Sequence, residues 1–229
     1  MPAQISVVIP TLDAGARLPD CLDALLEAVP IGLIRELIVV DGGSADDTLE
    51  IAEAAGAVIV TGPASRGGQL RRGCAAAHGS WLLILHGDTC LEPGWSRAVR
   101  DHVSTAKAAG YFRLRFAARG AMPALVAGWA NMRARQLHLP YGDQGLLVSR
   151  DDYLRAGGFA DQPLMEDVAL VRALRRCGVP LRALQADAVT SAERYLRAGW
   201  VRRGARNLWT LARYLAGASP ERLVEGYRR

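Results

Sequence analysis

The stretch Trp81-Leu-Leu-Ile-Leu-His-Gly-Asp88, WLLILHGD, decides how the rest of the chain reads. Leu82, Leu83, Ile84 and Leu85 form a short apolar run, the length of a strand buried on both faces. The run stops at His86-Gly87-Asp88, where groups able to hold a cation replace apolar ones. Open α/β sheets bind ligands just beyond the carboxyl ends of their parallel strands, which makes Asp88 a candidate ligand-binding carboxylate. Gly87 has no β-carbon and leaves room for a phosphate or metal to approach the backbone. The plain alternative is a strand running into an Asp-Thr turn.

Upstream, strands and helices alternate. Ile5–Ile9 reads as a first buried strand, ended by Pro10-Thr11, with a turn at Asp13-Ala-Gly15. A helix over about Leu18–Ala28 follows, with Leu18, Cys21, Leu22, Leu25 and Leu26 on one face. Leu37–Val40 is a second strand, ending in Asp41-Gly42-Gly43-Ser44. Ser44 reads as the N-cap of a helix from about Ala45 to Ala55, with Asp46 in its first turn. Val58–Val60 is a third strand. The glycine-flanked loop around Arg66 then opens a helix over about Gln69–Ala77, and an Arg66 on such a loop is expected to be exposed and mobile. This order predicts right-handed βαβ units, a mostly parallel sheet flanked by helices, and so an α/β fold. Three strands end in acidic or phosphate-compatible turns, PTLD, DGGS and HGD. They read as a mononucleotide-binding half or, more plainly, as three ordinary βα turns.

Downstream, Pro93–Lys107 reads as a helix, Tyr111–Phe116 as a half-exposed strand, Pro123–His138 as a helix and Leu146–Ser149 as a strand. Asp143-Gln144 lies in the loop before that last strand. Gly157-Gly158-Phe159 and Met165-Glu166-Asp167 precede a helix over Val168–Cys177. Acids at a helix start are stabilised by the helix dipole whatever else they do.

The chain has 229 residues, half of them hydrophobic, enough for one large α/β domain. No apolar run approaches the roughly 20 residues of a membrane span and no signal peptide precedes the first strand, which points to a cytoplasmic protein. The cysteines Cys21, Cys74, Cys90 and Cys177 form no C-x-x-C pair, so reduced structural thiols are expected. The net charge of +5 is concentrated: from Thr190 onward nine Arg face three Glu. Such a tail suits an anionic partner or a solvated helical face.

Ile5-Ser-Val-Val-Ile-Pro-Thr11, Val39-Val-Asp-Gly-Gly-Ser-Ala-Asp-Asp-Thr48, Arg66-Gly-Gly-Gln-Leu-Arg-Arg-Gly73, Leu85-His-Gly-Asp88, Gly157-Gly-Phe159 and Met165-Glu-Asp167 resemble family 2 glycosyltransferases of GT-A fold. The YGDQG and LHGDT segments are similar to the small group named arsenosugar-biosynthesis glycosyltransferases. The resemblance implies one GT-A domain: a nucleotide-binding half over 1–92, an acceptor half over 93–190, and a basic helical tail over 191–229.

The resemblance also implies a metal-dependent, inverting hexosyltransferase that moves a sugar from a nucleotide-sugar donor, UDP-type, to an acceptor hydroxyl. Its nucleotide site draws on Pro10, Thr11, Asp13, Asp41, Gly43, Arg66, Gln69, His86, Gly87 and Asp88. Asp41 would accept from the uracil ring. The family's Asp-x-Asp cation motif is reduced here to His86-Gly-Asp88, leaving Asp88 as the metal residue for Mg²⁺ or Mn²⁺. Asp167 would take the acceptor's proton, with Glu166 orienting the acceptor or Asp167 itself. Asp143, Gln144, Gly158 and Phe159 would border the sugar and acceptor. The tail lacks the Gln-x-x-Arg-Trp segment of processive relatives, which argues against polymer synthesis. Donor closure, a membrane surface and a homodimer contact are the readings for it, with donor closure or self-association favoured. The competing classes are a nucleotidyltransferase, which usually has a Gly-rich basic loop after its first strand, and a nucleotide- or RNA-binding module. A line of strand-end carboxylates argues against a nucleic-acid partner.

Overall fold

In the computed structural model, which describes residues 4–105 and 107–228, with side chains to Val224, eight strands form one mixed sheet. Ala106, inside the expected third-quarter helix, and Arg229, in the expected tail, lie outside the described residues. The first half runs β1 (Ile5–Thr11), α1 (Leu18–Leu25, continued by a 3₁₀ turn at Leu26–Ala28), β2 (Ile34–Asp41), α2 (Thr48–Ala54), β3 (Val58–Thr61), α3 (Arg66–Ala76) and β4 (Trp81–Ile84). The second runs β5 (Thr89–Leu91), α4 (Trp95–Thr105), β6 (Ala109–Phe116), α5 (Ala121–Gln136), β7 (Leu146–Ser149), α6 (Arg150–Arg155), α7 (Glu166–Arg176) and β8 (Leu181–Thr190). Three further helices close the chain: α8 (Glu193–Ala198), α9 (Trp200–Leu215) and α10 (Pro220–Arg228).

The strand order is β3-β2-β1-β4-β7-β6-β8-β5. β3, β2, β1 and β4 are parallel, β7 is antiparallel to both of its neighbours, β6 and β8 are parallel, and β5 runs antiparallel to β8. The period of two along the inner strands sends alternate side chains to opposite faces. Val8, Leu82 and Ile84 join α3 and α7 residues such as Leu70, Cys74 and Val168 in one core. Val7, Ile9, Leu83 and Leu85 join Leu18, Cys21 and Leu22 of α1 and Trp95 of α4 in the other. Helices thus cover both faces, which is why Val7-Val8-Ile9 of β1 and Leu82-Leu83-Ile84 of β4 are uninterrupted apolar runs. Each such fully buried Leu or Ile stabilises by about 1.5–3 kcal/mol. The four cysteines are free thiols, and burial raises Cys74 to about 12.

Several expectations shift. α2 begins at Thr48, not near Ala45, and Ser44 does not cap it. The Asp46 carboxylate instead accepts from Thr48 N at 3.1 Å and Gly15 N at 2.8 Å, which holds residues 45–47 in a loop tied to the turn after β1. α3 starts three residues early, because Ser65 caps it by accepting from Gly68 N. Arg66 is therefore a first-turn helical residue rather than part of a mobile loop. The Asp143-Gln144 segment is a 3₁₀ turn, Gly142–Gln144. β5, β8 and α6 carry no sequence-derived expectation.

Candidate active site

The sheet order reverses between β1 and β4, and the carboxyl ends of these strands open into one cleft. Leu85 N still donates to Val8 O, so the ladder continues one residue past β4 before His86-Gly87-Asp88 leaves it. The chain then turns straight into β5, whose Thr89 sits opposite Thr190 of β8. Ser191 N donates to Asp88 O, so Asp88 is clamped between the two strand systems. Among the described residues nothing hydrogen-bonds its carboxylate.

Two cavities meet there. A larger one, about 550 Å³, is walled by Pro10, Thr11, Asp13, Arg17, Ser65 and Gln69 from the first half of the chain. A smaller one, about 110 Å³, is walled by Tyr141, Asp143, Glu166, Asp167, Ser191, Tyr195, Arg203 and Asn207. Arg66, His86, Asp88 and Arg194 line both. Gly87 is on the wall of the larger cavity, where a β-carbon would make only ordinary contacts with Ala14, Ile9 and Thr11.

Asp41 and Gly43 are not on either wall. Asp41 is 1% exposed. It accepts from Gly43 N at 2.7 Å, Ser44 N at 2.9 Å, Ser44 Oγ at 2.5 Å and Thr11 Oγ1 at 3.2 Å. Burial alone would raise its pKa, but these bonds outweigh burial and hold it below the usual carboxylate range. Asp41 thus braces the β1 and β2 ends from beneath, and Ser44, expected to cap α2, serves it instead. Gln69 reaches the larger cavity, yet its Nε2 donates to Thr11 O at 2.7 Å and Val40 O at 2.8 Å, tying the same two strand ends together. Asp13 sits at φ 48° and accepts from Ala45 N, fixing the rim.

The acidic pair projects from the start of α7. Met165, just before it, holds a left-handed backbone at φ 62°, a strain concentrated at functional turns. Glu166 is buried, with Arg66 Nε 3.7 Å from its Oε1. Burial, reinforced by Asp167 and opposed by Arg66, pushes Glu166 up to about 7. Asp167 Oδ2 accepts from Gly142 N and its Oδ1 from Val168 N, both at 2.7 Å, leaving each oxygen a further lone pair. A β-carbon on Gly142 would overlap His86 Nε2, so only glycine lets this turn lie against the β4 end. His86 itself is held neutral, lowered to about 3, first by burial and then by Arg66, with Asp88 opposing.

Asp143 faces the smaller cavity. Burial pushes it up to about 6, Arg133 opposes this, and Asp167 and Asp88 add to it. Among the described residues its enclosed Oδ1 has no hydrogen-bond partner. Gln144 faces neither of these cavities. Fully buried, it accepts from Arg133 and Tyr141 N and donates to Phe112 O and Asn131, fixing the turn that carries Asp143. Gly158 and Phe159 are also set back: Phe159 packs on Tyr153 and lines only a small apolar recess behind the pair. The sequence reading missed Tyr141, Ser191 and Asn207 as wall residues, and placed Arg194, Tyr195 and Arg203 only in a basic tail.

Among the described residues no group of three His, Cys, Asp or Glu forms a metal cage. A divalent cation nevertheless fits. Mg²⁺ is commonly held by one or two carboxylates plus substrate phosphates, and Asp88 offers an unengaged carboxylate at a roomy junction. His86 lines both cavities beside it.

Residues 6–127 match the family model "Glycosyl transferase family 2". A "PGL/p-HBAD biosynthesis glycosyltransferase" of Mycobacterium bovis (strain BCG / Pasteur 1173P2) is 38% identical over 93 residues, 38% of this chain and 36% of the relative. The chain thus aligns with only about a third of that protein's length. The crystal structure of glucosyl-3-phosphoglycerate synthase from Mycobacterium tuberculosis with uridine-diphosphate superposes with a TM-score of 0.56 at 25% identity, over 79% of this chain and 70% of that one. Another structure of that enzyme, with Mn²⁺, UDP and phosphoglyceric acid, has a TM-score of 0.60 at 23% identity, over 90% and 77%, and shares the fold.

Proposed function

The chain belongs to glycosyl transferase family 2, and from that membership we propose that it transfers a sugar from a UDP-sugar donor to an acceptor hydroxyl, with inversion at the anomeric carbon and with a divalent cation. The observation that carries this reading is the meeting of two cavities at one row of side chains, Arg66, His86 and Asp88. The larger cavity has room for a nucleotide against Pro10 and Thr11. The smaller one holds the acids that an acceptor hydroxyl requires. UDP in the neighbouring synthase supports the choice of nucleotide. The PTLD turn, without a Gly-rich basic loop, and the family membership favour this class over a nucleotidyltransferase or an RNA-binding module.

Asp88 would hold Mg²⁺ or Mn²⁺, with His86 beside it. Such a cation neutralises the charge that grows on a departing diphosphate. Arg66 and Arg194, shared by both cavities, add fixed positive charge on the same side. Asp167 takes the proton of the attacking hydroxyl. Gly142 N–H and the first turn of α7 orient its carboxylate, so the proton moves to an oxygen already aimed at the cavity. Glu166 positions Arg66 and stays out of the transfer. Asp143 borders the acceptor side, with its enclosed Oδ1 unpaired among the described residues. The division into a nucleotide half over 1–92 and an acceptor half over 93–190 belongs to this reading, with the tail completing the acceptor wall.

A panel of nucleotide sugars, scored by thermal shift with and without Mn²⁺, tests it. A true donor at a hundredfold its Kd stabilises the fold by about 2.7 kcal/mol. Asp167→Asn is expected to keep that shift and lose transfer; transfer at the wild-type rate would remove Asp167 as the base.

A further inference from the structure

We propose that the outward faces of α9 and α5 dock on a membrane surface bearing anionic lipid headgroups. Helix α9 is two-faced. At 100° per residue, Arg203, Asn207, Thr210, Leu211 and Tyr214 fall on one side, and Val201, Leu208 and Trp209 on the other. The first side turns inward: Arg203 and Asn207 line the smaller cavity, and Thr210 and Leu211 are buried. The second stands in solvent, with Val201 73%, Leu208 49% and Trp209 66% exposed. Ala205 and Ala212 lie on that same side and are also exposed, so no polar residue interrupts the stripe.

Helix α5 repeats the pattern. Leu125, Trp129 and Met132, spaced four and three apart, are all exposed, while Ala127 and Ala130 pack inward. The two helices meet at one small core of Leu114, Phe116, Ala127, Ala130 and Ala192, against which Val126 of α5 and Trp200 of α9 pack. Isolated exposed apolar residues are ordinary. Two neighbouring helices that each present an apolar stripe with a tryptophan at its centre are not.

Charge selects the occupant. Neither α5 nor α9 contains a single Asp or Glu, and apart from the cavity-lining Arg203 α9 carries Arg202, Arg206 and Arg213. A second copy of this chain would press arginine against arginine across a two-fold axis, a repulsion that strengthens as water is excluded. An anionic lipid surface reverses that sign. Arginines flanking a Trp- and Leu-bearing stripe are the pattern of a helix lying in the headgroup plane. Among the described residues no helix is long and apolar enough to cross a membrane, so the face rests on the bilayer. Because the inward side of α9 walls the smaller cavity, docking brings that cavity to the lipid surface.

Vesicle sedimentation of the full chain tests this without donor or acceptor, so it stands or fails apart from the transfer reading. The chain is expected to pellet with phosphatidylcholine–phosphatidylglycerol vesicles and to be released by salt. Each surface arginine contributes about fivefold to such partition, so pure phosphatidylcholine should recover far less protein. Trp209→Glu places a charge on the apolar stripe and is expected to cut binding at least about tenfold. Arg202→Glu tests the charge separately and should lower only the salt-sensitive part. Both residues are exposed, and an unchanged melting temperature checks that the variants fold. Equal pelleting of wild type and Trp209→Glu overturns the proposal, as does failure to pellet with anionic vesicles. A dimer in light scattering that Trp209→Glu disperses would assign the face to self-association and overturn it as well.

Discussion

Asp88 and Asp41 are both strand-end aspartates, yet the fold gives them opposite work. Asp41 receives four hydrogen bonds from its own loop and Thr11, and among the described residues Asp88 receives none at its carboxylate. Asp88→Ala is therefore expected to abolish the Mn²⁺-dependent part of the UDP thermal shift with little change in the melting temperature of the free protein. Asp41→Ala should do the reverse, destabilising the fold by roughly 1–3 kcal/mol through orphaned buried partners. Parallel melts of both variants with and without UDP read this crossover. A sequence shows that both positions end strands. It does not show that Ser44 folds back on Asp41, because the loop at Asp46 that delays the start of α2 is tied to Gly15 some thirty residues away. Glu166 supplies a pH test. Its pKa is raised from 4.5 to about 7, so between those values the folded chain holds a proton that the unfolded chain has lost. Its contribution to stability is present below about pH 4.5 and is lost as pH rises through 7. Glu166→Gln should therefore gain on wild type between pH 5 and pH 8, by on the order of 3 kcal/mol, in urea unfolding at the two pH values. A constant difference would mean that Arg66 pairs with an ionised Glu166 throughout.

Elements carry these residues to one place, and glycine sets one of the approaches. Gly67, in the first turn of α3, lies so close to the loop before α7 that a β-carbon would overlap the Ala160 carbonyl oxygen. Gly67 N also donates to Gln162 O. Gly67→Ala must push α3 and that loop apart. The expected cost is about 1–3 kcal/mol in denaturant unfolding, with a rise in KM for the donor as Arg66 leaves Glu166. A stability loss with unchanged KM would show that the ion pair follows the shift. The elements of the nucleotide half are legible because their runs are local: ISVVI, LIVV and LLIL each announce a strand buried on both faces. The acceptor half is less so. β8 alternates unevenly over Leu181–Thr190, and β5 is only Thr89–Leu91, too short to carry a period. Yet β5 pairing with β8 is what clamps Asp88. The early start of α3 was readable in principle, since Ser65 is a strong N-cap residue, but Gly67-Gly68 argued for loop.

At the scale of the molecule, one sheet supports a nucleotide-sized cavity at its parallel end and an acid-lined cavity toward β8, and the tail closes the second. The tail is held unevenly. α9 buries only Thr210 and Leu211 along its length, and α8 buries nothing, whereas β1 and β4 sit between two cores. Local opening follows buried contacts, so hydrogen exchange should be fast through α8 and α9 and slowest in β1 and β4. Ligand binding adds a test of how the parts are coupled. Arg194 lines both cavities from α8, so a diphosphate bound in the larger one would have a direct partner on the tail. UDP with Mn²⁺ is expected to slow exchange in α8 and the first turns of α9 as well as around Thr11 and Asp88. In Arg194→Ala the protection near Thr11 should survive and that of the tail should vanish. If the tail were equally protected in both proteins, its order would come from packing on β6 and α5 alone, and it would be a fixed wall rather than a part that tightens on the donor.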